Sequence, residues 1–152
     1  MYENILLAYD GTRECRFALR EGAYIASHCN AKVHLLSVMP LSLGVSVGEG
    51  FNAGTILEND IEQYRKVLDE GLERIRGLGL DAEGHLVSGD PTEQIVRAAH
   101  EHAADLVVLG HVARRGLARW WRSSVGSTLL DELGCSILIA IRRPVEADKT
   151  AG

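Results

Sequence analysis

The chain has 152 residues, 46% apolar and 24% charged, with a formal net charge of −5. That is enough for one soluble domain with one sizeable core. The acidic balance gives no global field towards nucleic acid or an anionic membrane. Three cysteines (Cys15, Cys29 and Cys135) show no CxxC spacing, which argues against a disulfide framework or a thiolate zinc site.

The N-terminus begins Met1-Tyr2-Glu3-Asn4 without a basic n-region, and no apolar run approaches membrane-spanning length. A cytoplasmic protein without membrane insertion is expected. Ile5 to Tyr9 is a short apolar run typical of a buried parallel strand. Asp10-Gly11-Thr12 breaks it, and Thr12 can cap a helix reaching to about His28, with Cys15, Ala18, Leu19, Gly22, Ala23 and Ala26 as its inner face. Val33 to Met39 follows as a second strand, ending at Pro40.

Leu41 to Gly54 is glycine-rich and without period, which predicts a loop over one end of the sheet. Thr55 to Leu78 reads as an amphipathic helix with Ile56, Ile61, Tyr64, Leu68, Leu72 and Ile75 facing inward. Ala82 to Val87 is a more polar strand, which suits a sheet edge. Asp90-Pro91-Thr92-Glu93 then starts a helix ending near His102: Asp90 caps, Pro91 fits the first turn and Glu93 can close a capping box.

Leu106 to Leu109 is the fourth strand, Ser124 to Leu133 the fourth helix and Ser136 to Ile141 the fifth strand. Strands alternating with helices imply a doubly wound parallel sheet with helices on both faces. One domain is expected over 1–143, with 144–152 as a frayed tail.

In such sheets ligands bind beyond the carboxyl ends of the strands, where the winding reverses. Asp10 ends strand one and Gly110 ends strand four. If these strands are neighbours, Asp10 can accept from a ribose or an adenine amine, and Gly110 lets a ligand approach the backbone. The plainer alternatives are that Asp10 caps the turn and Gly110 terminates a strand. The amides opening the Ser124 helix add a place for an anion.

The set ILLAYDGT, VHLLSVMP, SGDP, ADLVVLGH and SSV resembles the universal stress protein family over nearly the whole chain. The resemblance implies a five-stranded sheet in the order 3-2-1-4-5, with the fold of the adenine nucleotide alpha-hydrolases. It also implies a homodimer through the last strand, Ser136 to Ile141. Nucleotide-binding members carry a signature of glycine, two residues, glycine, nine residues, then glycine followed by Ser or Thr. On this chain it falls on Gly110, Ala113 and Ser123, with Ser124 at the hydroxyl position and Val125 after it. Two glycines are replaced, and a Cβ at either place can fill phosphate space. The family site also uses the backbone at the end of strand two, matched by Val38. Gly110-His111 with the Ser-Ser pair is similar, too, to the branch of the family that lacks nucleotide binding.

The resemblance therefore implies binding of ATP (with Mg²⁺) or AMP as a regulatory signal. The alternative is a dimeric interaction module with a vestigial site, docking on protein partners. No GxSxG, HExxH or P-loop motif occurs, so a catalyst is not expected, weak ATP hydrolysis apart. Arg114, Arg115, Arg119 and Arg122 can attract phosphate charge or simply face solvent. Trp120 and Trp121 suit packing or a partner contact. The six histidines show no ligand spacing; His111 reads as a loop residue and the others as solvated.

Overall fold

Ile5, Leu6 and Leu7 are almost fully buried, because β1 (Asn4–Ala8) is central in a parallel sheet covered on both faces. The computed structural model describes residues 1–40, 53–111 and 124–142. After β1 come α1 (Arg13–Cys29), β2 (Lys32–Met39), α2 (Ala53–Gly77), β3 (Ala82–Ser88) and α3 (Pro91–Glu101). The chain continues through β4 (Leu106–His111), α4 (Ser124–Leu133) and β5 (Ser136–Ile141). The strand order is β3-β2-β1-β4-β5, as the resemblance implied, and every pairing is parallel, as the alternation of strands and helices implied. β3 is an edge strand, as its polarity predicted.

Alternation along the strands divides the core in two. Ile5, Leu7, Val33, Leu35 and Val108 pack beneath α1 and α2, with Leu19, Leu68, Leu72 and Ile75. Leu6, Leu36, Val107 and Leu109 face α3 and α4, with Ile95, Ala98, Leu129 and Leu133. Each fully buried Leu or Ile contributes about 1.5–3 kcal/mol, so these two layers carry the fold.

The N-caps follow the sequence, although the Glu93 side chain does not return a bond to the Asp90 N–H, so the capping box stays open. Thr12 Oγ1 accepts from the Cys15 N–H to start α1, and Asp90 Oδ1 accepts from the Glu93 N–H to start α3. The Asp105 carboxylate accepts the backbone N–H groups of Glu3 (2.7 Å) and Asn4 (3.1 Å), pinning the entry of β1 beside β4.

Several element ends shift by a residue or two, and two of the differences change how a residue reads. α2 begins at Ala53, so Ala53 and Gly54 belong to the helix rather than the preceding loop. β4 continues through Gly110 and His111, which pair with Ala140 and Ile141. Gly110 therefore terminates nothing, because β5 extends the ladder past it. The rest of the glycine-rich segment, the arginines, Trp120, Trp121 and the C-terminal tail lie outside the described residues. Among the described residues no helix is long and apolar enough to cross a membrane.

Candidate functional site

The strand order reverses between β1 and β4, which are hydrogen-bonded neighbours in register from Ile5–Leu106 to Leu7–Val108. Their carboxyl ends are where a doubly wound topology places a ligand crevice. Asp10 lies two residues beyond β1, exposed at this rim. Its Oδ1 accepts from the Thr12 N–H at 2.9 Å and from the Thr12 hydroxyl at 2.6 Å, so one carboxylate oxygen holds the turn. Oδ2 has no such duty in that turn. Gly11 takes a left-handed φ of 78°, which lets the chain reverse into α1.

Gly110 sits on β4 across from this turn. A Cβ added there would lie 2.7 Å from the Glu14 carbonyl oxygen and 2.9 Å from the Cys15 nitrogen. The first turn of α1 thus occupies the space that the missing side chain leaves, and Gly110 has a packing reason of its own. Cys15 shares this corner. Burial, reinforced by the negative charge of Asp10, pushes its thiol up to about 12, so it stays a protonated, inert thiol near neutral pH.

His111 closes β4 and is not a loop residue, since it pairs with Ile141. Its Nδ1 is buried and finds no hydrogen-bond partner among the described residues. Val38 lies in β2 opposite Val87 and packs on the α3 side of the sheet. Ser124 and Val125 open α4. That helix leads straight into the amino end of β5, so its N-terminus is directed to the carboxyl side of the sheet. Ala113 and Ser123 lie outside the described residues. The structure therefore gathers Asp10, Gly110 and His111 at one corner, with the start of α4 on the same side.

The expectation of solvated histidines fails at three positions. His34 is only 5% exposed, and its Nδ1 lies 3.1 Å from Nε2 of His85, with His102 stacked on both rings. The reason is register: β2 residues 34 and 36 face α3, and β3 places His85 opposite Leu36 on the same side. A histidine inside the otherwise apolar run Val33–Leu36 was the available signal. His100 also has a partner, its Nε2 lying 2.9 Å from the Glu132 carbonyl of α4.

The sequence model described as "Universal stress protein family" matches residues 1–140. A putative universal stress protein of Staphylococcus aureus is 28% identical over 149 residues, covering 97% of this chain and 89% of the relative. A solved structure from the family, from Burkholderia pseudomallei, superposes with a TM-score of 0.70 at 26% identity, covering 91% and 95% of the two chains. A universal stress protein solved in complex with cAMP gives a TM-score of 0.67 at 24% identity, covering 91% of this chain and 96% of that one. With the family match spanning nearly all of a sheet in the implied order, the chain belongs to the universal stress protein family.

Proposed function

We propose that this protein is a stress-response sensor that binds an adenine nucleotide, ATP or AMP, at the β1/β4 crevice and acts through conformation rather than catalysis. The observation that carries the reading is the reversal of strand order between β1 and β4, with the Asp10 turn at its rim. Asp10 Oδ2 would accept from the ribose or the adenine amine, or hold Mg²⁺ when the ligand is ATP. The buried Nδ1 of His111, without a partner among the described residues, would accept from or donate to the ligand. The amides opening α4 at Ser124 and Val125 would receive phosphate. The cAMP complex of a relative supports the choice of an adenine nucleotide. A bound nucleotide signals only if it favours one state of the protein, which is then read by protein partners.

A second reading, a nucleotide-free interaction module, is favoured by two observations. The α1 backbone fills the Cα side of Gly110. Ala113 and Ser123 stand where the binding signature has glycine.

Calorimetric titration of the whole protein with AMP, and with ATP plus Mg²⁺, separates the two. Saturable heat with either nucleotide is expected, weakened about tenfold or more by Asp10→Ala, the loss of one charge-assisted hydrogen bond. No heat at roughly millimolar nucleotide rejects the sensor and leaves the module. Both readings include a homodimer through β5. This strand ends the sheet beyond β4 and carries Ile141 at 57% exposure, an edge a second copy can extend. Sedimentation should show a dimer that Ile141→Lys converts to monomer. A wild-type monomer, or a variant dimer of unchanged mass, rejects this interface.

A further inference from the structure

We propose that His34, His85 and His102 form a binding site for a divalent transition-metal ion of the Zn²⁺ class. The site lies at the β2–β3 edge and is independent of the nucleotide crevice. The three imidazoles come from three elements, β2, β3 and the cap of α3, and their nearest ligand nitrogens all lie within 4.8 Å of one another. His34 is the third residue of β2 and α3 ends beside it, so the cluster sits towards the amino side of the sheet. The crevice opens at the other end.

Chemistry and geometry agree on the ion. Three neutral imidazoles are an all-nitrogen set of the kind that zinc, copper and nickel accept, and a three-histidine site leaves a fourth position open. Nitrogens around a tetrahedral ion stand about 3.3 Å apart, given metal–nitrogen bonds near 2.0–2.1 Å. His34 Nδ1 and His85 Nε2 are already 3.1 Å apart. The rings are stacked, with centroids 4.1–5.4 Å apart, so His85 and His102 must turn to converge on an ion. Both are partly exposed and can do so, whereas His34 is fixed in the core.

Access and charge suit a cation. A groove of about 390 Å³ between β3 and α3, lined by His85, Arg97, Glu101 and His102, connects the cluster to solvent and offers room for a water ligand. Glu83, which also pairs with Lys32 at 2.8 Å, places a carboxylate oxygen 3.8 Å from His34 Nδ1 and is the acidic neighbour of the site. A plain hydrogen bond between two histidines would explain His34 and His85. It does not explain why a third ring from α3 closes on the same point.

The test uses the whole untagged protein, stripped with a chelator and titrated with Zn²⁺ by calorimetry and with Co²⁺ by absorption. One ion per chain is expected. The Co²⁺ form should show the visible bands of a four-coordinate ion without a thiolate charge-transfer band. His85→Gln and His102→Gln, both at partly exposed positions that tolerate the change, should each weaken Zn²⁺ binding by more than about 100-fold, beyond what losing an outer partner of a ligand causes. Thermal melts in chelator confirm that the variants fold, and Zn²⁺ should raise the melting temperature of the wild type alone. Absence of saturable binding, a thiolate band, or undiminished affinity in both variants overturns the site.

Discussion

The two ends of the sheet are built from different materials. At the carboxyl end the crevice is made of main chain: a turn pinned by Asp10 and Thr12, a glycine seated against the backbone of α1, and the first turn of α4. Towards the amino side, at the β2–β3 edge, the histidine cluster is made of side chains that meet only because register and helix packing bring them together. A main-chain site depends on φ angles and missing Cβ atoms, so it leaves a local motif. A side-chain site assembled across elements leaves three scattered residues of an unremarkable type.

The largest expected effect tests whether Gly110 belongs to the crevice or to the packing beneath it. In Gly110→Ala the new methyl would meet the Glu14 carbonyl and the Cys15 nitrogen at 2.7–2.9 Å, and backbone there cannot swing aside. Overpacking against a fixed wall should cost about 3 kcal/mol, read as a lowered urea midpoint with unchanged slope. Gly77→Ala is the control, because nothing lies within 4 Å of its added methyl. A Gly110→Ala protein as stable as wild type would reject the packing role of Gly110.

The fold was legible because each element carries its own signals. Asp90-Pro91 marks the start of α3, Thr12 caps α1, and the near-continuous apolar runs of β1 and β4 mark central parallel strands. The crevice was legible as far as those signals extend, to Asp10, Gly110 and Ser124. Three features were not. β4 runs on through His111 because β5 pairs with it, a tertiary fact that no local pattern holds. The packing role of Gly110 depends on where α1 docks. The partners of His34 lie 51 and 68 positions away in sequence, so only the β2–β3 register and the α3 crossover reveal them.

The smaller effect tests the other end of the sheet, in metal-free protein. His34 titrates near 6.5 when unfolded, but burial, and then the charges of His102 and His85, lower it to about 4 in the fold. Between those values the unfolded chain binds a proton that the folded chain refuses. Stability is therefore complete above pH 6.5 and falls as the pH drops towards about 4. The full shift sets a ceiling that solvent at the cluster's rim reduces, leaving on the order of 2 kcal/mol. His85 is lowered as well, chiefly by burial, and its loss has the same sign. Glu83, held down mainly by its bond to Lys32, adds a loss of the same sign at lower pH. Other carboxylates titrate in the acid range too, so the informative quantity is a difference between proteins. Urea midpoints of wild type and His34→Gln, measured in chelator across this range, should converge as the pH falls. Parallel curves would mean that His34 is not a buried neutral base.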